Sequence, residues 1–252
     1  MATPRSHLAK APVTEAVIDF RVKPKPDFEV GNLDAIAKKL APAYVVKGPI
    51  FELAAKFGID PKGEGQSDLQ SKHVGLRLHS VDDLYVLQVQ QGGLSLSRMS
   101  PYESWDSLLD EAKRLWQLYL KVAEPSHVVR AATRFINNLR LPMQPGEDFN
   151  VYLSKPPQVP DGLPQGLVSF LHRVLMYDPM LDIHAMLTQA LEPISAGATL
   201  DRVPVILDID VYRIAEFAAD GPEVWACFSQ LRDFKNRAFF SSMTDRAIEL
   251  YQ

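Results

Sequence analysis

The stretch P-V-I-L-D-I-D-V-Y-R, residues 204–213, sets Asp208 and Asp210 one residue apart inside a run of branched apolar side chains. An extended chain alternates its side chains, so Val205, Leu207, Ile209 and Val211 share one face of a strand while Asp208, Asp210 and Tyr212 share the other. The sequence runs on through Val211 and Ile214 with no glycine to turn it. The stretch therefore predicts an uninterrupted, half-buried strand, and a chain that builds sheets with one dry and one wet face.

An Asp-x-Asp pair after an apolar strand resembles the nucleophile motif of haloacid-dehalogenase-like phosphatases. That motif needs the strand to end and needs a threonine two residues after the second aspartate, where this chain has Tyr212. Same-face neighbours on a strand sit about 7 Å apart, too far for a shared-proton dyad but close enough to bracket a hydrated cation. If L-D-I-H-A-M-L-T-Q-A-L (residues 181–191) pairs as a hairpin with this strand, Asp182, His184, Met186 and Thr188 share a face. His184 then approaches the aspartates, giving a donor set suited to Mn, Mg or Zn. The competing reading pairs both aspartates with Arg130 and Arg134, in the polar phase of H-V-V-R-A-A-T-R-F-I-N-N-L-R-L (residues 127–141), because opposite charges across strands pair readily. The candidate polar-face cluster is Arg130, Arg134, His184, Asp208 and Asp210. Charge pairing is the expectation, with no catalytic residue, no metal and no cofactor assigned.

Working outward, Ala16, Ile18, Phe20 and Val22 alternate with Glu15, Val17, Asp19 and Arg21, which predicts a first strand. Asn32 is placed to cap a short helix carrying Leu33, Ile36, Ala37 and Leu40. Residues 48–57, 72–80 and 83–91 read as strands, the last continuing through Gly92-Gly93 into Leu94–Ser97 as a bulge or a turn, and residues 58–71 read as a polar loop. The segment S-P-Y-E-S-W (residues 100–105) predicts a helix capped by Ser100 in a capping box with Glu103. Its stripe is Trp105, Leu108, Leu109, Ala112, Trp116, Tyr119 and Leu120.

After the strand at 127–141 comes a proline-rich connector over residues 142–164. Leu163, Leu167, Phe170, Leu171 and Val174 then predict a helix opened by Pro164. Two strands follow, then a long helix with Asp220 as cap and Pro222 in its first turn, and a short final helix. The predicted class is α+β: antiparallel sheets with helices packed on one face, in two similar halves, residues 1–124 and 125–252, forming one compact unit.

The 252 residues are 46% hydrophobic and 23% charged, ordinary for a globular chain, and the net charge of −4 offers no global attraction to nucleic acid or an anionic membrane. A single cysteine, Cys227, excludes an internal disulfide and a multi-cysteine metal site. The first residues lack the apolar core of a signal peptide and no stretch has the length of a membrane span, so a cytoplasmic location without membrane partners is expected.

Taken together, A-P-V-T-E-A-V-I-D-F-R-V, S-P-Y-E-S-W-D-S-L-L-D-E-A-K-R-L-W, T-R-F-I-N-N-L, I-L-D-I-D and L-R-D-F-K-N-R-A-F-F-S-S-M-T resemble the landmarks of a sporadically distributed, conserved but uncharacterised prokaryotic protein family. The likeness covers nearly the whole chain. It implies a prokaryotic source and an accessory role of the kind found in defence systems or mobile elements, and supplies no activity and no catalytic residues. The element order also resembles the tandem strand-helix-strand-strand modules of small-molecule-binding proteins related to gyrase-inhibitory and multidrug-sensing domains.

There is no Walker loop, no G-x-G-x-x-G, no G-x-S-x-G and no H-E-x-x-H, and the histidines outside the cluster are scattered. Ser95 and Ser97 alternate with leucines as strand surface. Arg130, Arg134, Arg140, Asn137 and Asn138, with Arg232, Lys235, Asn236 and Arg237, make a basic face that suits phosphate. Acidic neighbours such as Asp208, Asp210 and Asp233 argue against nucleic acid as the partner. The expected function is non-enzymatic binding of a protein or small molecule, through the polar sheet face or a cleft between the halves. The alternatives are a metal-dependent hydrolase or nuclease using Asp208, Asp210 and His184, and a nucleic-acid-binding protein.

Overall fold

Alternation dominates the chain, and a sheet dominates the computed structural model, which describes residues 8–59, 65–143, 147–191 and 202–252, with backbone alone for 55–59 and 65–69. The strands are β1 (Val13–Lys23), β2 (Tyr44–Ile59), β3 (Gly65–Ser80), β4 (Tyr85–Gln90), β5 (Gly93–Met99), β6 (His127–Leu141), β7 (Phe170–Asp178), β8 (Ile183–Leu191) and β9 (Val203–Ala218). They form one antiparallel sheet of nine strands in the order β2-β3-β4-β5-β1-β6-β9-β8-β7. The β1–β6 ladder joins the two predicted halves at the centre of the sheet. No described helix is long and apolar enough to cross a membrane.

The helices are α1 (Asp34–Leu40), α2 (Trp105–Ala123), α3 (Glu223–Ser242) and α4 (Asp245–Glu249). On α2 the buried side chains are Trp105, Leu108, Ala112, Leu115, Trp116, Tyr119 and Ala123, with Leu109 and Leu120 half-buried at the edges of the stripe. On α3 they include Val224, Cys227, Phe228 and Leu231, at the three- and four-residue spacing of one helix face. Phe20 of β1 ties both helices to the central strand. Its ring stacks on Trp116 at 4.2 Å and meets Phe228 and Trp225 edge-on at 4.9 and 5.5 Å. Trp116 also donates its indole N–H to the Ala219 carbonyl at 3.0 Å, so its one polar atom is satisfied inside the core.

Several local expectations are corrected. Residues 163–174 form no helix: the chain is irregular to Ser169 and then enters β7, where pairing with β8 overrides the helical spacing of five apolar residues. The second part of the chain therefore carries strand β6, three further strands and α3. Of the loop expected over residues 58–71, Gly58 and Ile59 belong to β2 and residues 65–71 to β3, which pair with each other, and residues 60–64 lie outside the described residues. Helix α2 starts at Trp105 with Ser104 as cap, its hydroxyl accepting from the Ser107 N–H, so the Ser100–Glu103 box does not form. Asn32 lies inside a 3-10 turn ahead of α1, and α3 starts after Pro222 with no side-chain cap from Asp220. The chain turns at Gln91-Gly92, and Gly93 opens β5 opposite Gln90. Gly93 lies so close to β1 that a Cβ there would meet the Phe20 carbonyl oxygen at 1.9 Å.

Candidate functional site

Charged side chains gather in two places with different geometry. The first is the polar phase of β1, β6, β9 and β8. As the alternation requires, β9 continues unbroken past Asp210, and Val205, Leu207, Ile209 and Val211 are all fully buried. Arg134 lies directly opposite Asp210 across the ladder, yet its guanidinium reaches diagonally to Asp208. There it donates through Nε and Nη2 to the two carboxylate oxygens at 2.8 and 2.6 Å, the bidentate fork that suits a carboxylate. Arg130 bridges Asp19 at 3.0 Å and Asp210 at 3.6 Å, and its guanidinium lies 4.4 Å over the Tyr212 ring.

His184 sits opposite Tyr212 in the β8–β9 ladder, while Met186 faces Asp210 and Thr188 faces Asp208. The imidazole is stacked on Tyr212 at 5.1 Å and leans on Tyr177 at 4.7 Å, and its buried Nδ1 has no hydrogen-bond partner. The structure brings Arg130, Arg134, Asp208 and Asp210 together as ion pairs and places His184 in an aromatic ladder beside them. Among the described residues no group of three His, Cys, Asp or Glu is arranged to hold a metal ion. Burial raises the Asp19 and Asp210 carboxyls by more than the neighbouring arginines lower them, and the fork to Asp208 holds the proton on Arg134 more tightly.

The basic face read from the sequence divides. Arg130, Arg134, Asn138 and Arg140 follow the polar phase of β6. Asn137 is buried in the opposite phase, donating to the Leu207 carbonyl at 2.9 Å. Arg237 is exposed beside Asp178 at 3.9 Å. Arg232, Lys235 and Asn236 belong to the second site.

That site is a cleft of about 420 Å³ where the start of α2, the middle of α3 and the residues leading into β1 meet. Its volume falls in the ~300–1,000 Å³ range of small-molecule pockets. Aromatic rings make its wall: Phe135 of β6 stacks with Trp105 at 6.3 Å and meets Tyr102 edge-on at 5.5 Å. The Lys235 ammonium lies 3.8 Å from the centroid of Phe135 and donates to Asn236 Oδ1 at 2.6 Å. Arg232 lies 5.8 Å over Trp105. Among the described residues neither cation has a carboxylate within salt-bridge distance.

Burial, followed by the positive charge of Arg232, pulls the Lys235 ammonium down to about 7. The Phe135 ring face acts in the other direction, since a cation over an aromatic ring gains about 0.5–2 kcal/mol. The cleft is thus a place where a cation is held in aromatic surroundings without a counter-charge.

Lys235 lies in the cleft and not on the solvated basic face expected from the sequence, although the sequence carries a signal for its position. Phe228, Leu231, Lys235 and Phe239 recur at helical spacing, which puts a lysine on the apolar stripe of α3. A wider recess of about 660 Å³ lies at Lys47–Phe51, Arg77, His79 and Asp83, but it is shallow and His79 is already paired with Asp83 at 3.2 Å. No protein-family model matches the chain, and no curated protein matches it.

Proposed function

We propose that this chain is a non-enzymatic binding protein and that its cleft between α2 and α3 takes a small organic ligand with a flat apolar body and an anionic group. The carrying observation is Lys235: an ammonium lodged against Phe135, whose acceptor is a neutral amide and which has no carboxylate partner among the described residues. A lysine in that position costs stability, because it is partly stripped of water with no opposite charge to compensate. A carboxylate ligand supplies that charge, and part-exposed Tyr102, backed by the buried rings of Trp105 and Phe135, supplies apolar surface for a ring. We read the fold as two similar α+β halves with their helices on one side of the shared sheet, so that the cleft forms where α2 of one half meets α3 of the other.

The polar sheet face supports binding less well, since its guanidinium groups already hold carboxylates. The hydrolase reading lacks a metal-holding group among the described residues, and in the nucleic-acid reading Arg130, Arg134 and Arg237 already lie beside carboxylates. The test is thermal unfolding against a panel of aromatic carboxylates, with and without an α-amino group. A ligand at a hundred times its Kd stabilises by about 2.7 kcal/mol, a readily measured rise in Tm. We expect at least one member to raise the Tm of the natural protein and to lose that effect in Lys235→Met. No response to any member at millimolar concentration overturns the proposal.

A further inference from the structure

Two acidic residues, Glu103 and Asp106, also line the cleft at the α2 end, and Arg232 and Lys235 line it from α3. Both acids are exposed, and no described residue forms an ion pair or hydrogen bond with either side chain. Acids at a helix start have a local reason, the partial positive charge of the helix N-terminus, so they indicate nothing by themselves. What changes their meaning is the pair of bases that line the same cleft, neither of which has an ion pair among the described residues. The two sets do not close on each other, since among the described residues no nitrogen of Arg232 or Lys235 comes within 4.0 Å of a carboxylate. They nonetheless act on common ground: Arg232 lowers and Asp106 raises the Tyr102 hydroxyl, beside the larger effect of burial.

A simple anion entering this cleft is attracted by the bases and repelled by the acids, and a simple cation meets the reverse. Only a ligand with both charges and a flat apolar body satisfies both walls. We infer that the cleft recognises a zwitterionic aromatic amino acid, its carboxylate toward Lys235 and Arg232, its ammonium toward Glu103 and Asp106, and its ring against Tyr102 at the edge of the aromatic wall. This rests on the binding reading above and narrows it to one ligand class.

The experiment titrates the full chain calorimetrically with L-phenylalanine, 3-phenylpropionate, which lacks the ammonium, and phenethylamine, which lacks the carboxylate. Expected is L-phenylalanine binding at least tenfold more tightly than either analogue. In the double variant Glu103→Gln, Asp106→Asn the advantage over phenylpropionate disappears, while phenylpropionate itself binds no worse. In Lys235→Met the advantage over phenethylamine disappears. The acids are exposed, so their substitution leaves the fold intact, and a melting curve on each variant checks this. Phenylpropionate binding as tightly as L-phenylalanine overturns the inference and leaves the cleft reading standing. L-phenylalanine binding that none of these variants weakens places the site elsewhere and overturns both, as does the absence of binding by all three compounds.

Discussion

The polar sheet face and the cleft are built from the same residue types, yet only one is electrostatically complete. On the sheet, strand pairing brings Arg134 to Asp208 and Arg130 to Asp19 and Asp210, so each guanidinium meets a carboxylate across a fixed ladder. In the cleft, Arg232 and Lys235 on one helix and Glu103 and Asp106 at the start of another remain apart. The difference is one of framework. Neighbouring strands lie about 4.8 Å apart and leave little room between opposite charges, whereas residues of two separate helices have no ladder to bring them together. A completed charge network stabilises a fold; an open one is a place for something else to bind.

The comparison breaks most visibly on the sheet. Asp208 is 8% exposed, so Arg134→Met leaves a carboxylate largely buried without its fork. We expect a loss of about 2–3 kcal/mol in urea unfolding, the range for a buried charged group stripped of its hydrogen bonds. Asp208→Asn costs less, about 1 kcal/mol, because half-exposed Arg134 turns to water. The double variant is expected to lose clearly less than the sum of the two, the mark of a direct pair. Strict additivity would mean that the fork contributes nothing and that the two sites differ less than their geometry says.

The sheet face was legible in the sequence because a two-residue period fixes which side a strand residue occupies, and Asp208, Asp210, Arg130 and Arg134 all fall in one phase. What the period cannot fix is diagonal reach: Arg134 opposes Asp210 but grips Asp208. His184 was placed on the right face, but its neighbour in the ladder is Tyr212, and ring stacking holds it there. The helix expected over residues 163–174 failed because five apolar residues at helical spacing also serve an edge strand, and long-range pairing with β8 decides between them. The cleft was hardest to read, since it joins Tyr102, Phe135 and Lys235, which are far apart in the chain.

The cleft is sharpened by pH. With Lys235 brought down to about 7 in the folded protein from its ordinary 10.5, the unfolded chain binds the extra proton between those values. Stability should therefore rise with pH from about 7 to about 10.5 and carry a constant penalty below 7. Lys235→Met removes both penalty and slope, and we expect it to raise stability by roughly 1 kcal/mol at neutral pH. Comparing melting curves of the two proteins from pH 6 to 9 checks this. Anion binding should behave in the opposite sense, flat below pH 7 and weakening above it, because the ligand needs the ammonium form. A variant less stable than the natural protein at neutral pH would mean that Lys235 has a partner in solution.

The smallest expected effect is also the one that separates the two sites by chemistry. Asp208 and Asp210 share a face and lie at a spacing able to bracket a hydrated ion, but both already contact arginines, Asp208 through two hydrogen bonds of 2.8 Å or less. A divalent cation would have to displace Arg134 and Arg130 and leave their charges beside its own, with Thr188 and Met186 as the next groups along the face. Mn²⁺, Mg²⁺ or Zn²⁺ at millimolar concentration should therefore leave the melting temperature unchanged, both in the natural protein and in Asp208→Asn. If an ion instead raised it, and the rise vanished in Asp208→Asn, the arginines would be lids over a metal site, and the sheet face, not the cleft, would carry the chemistry.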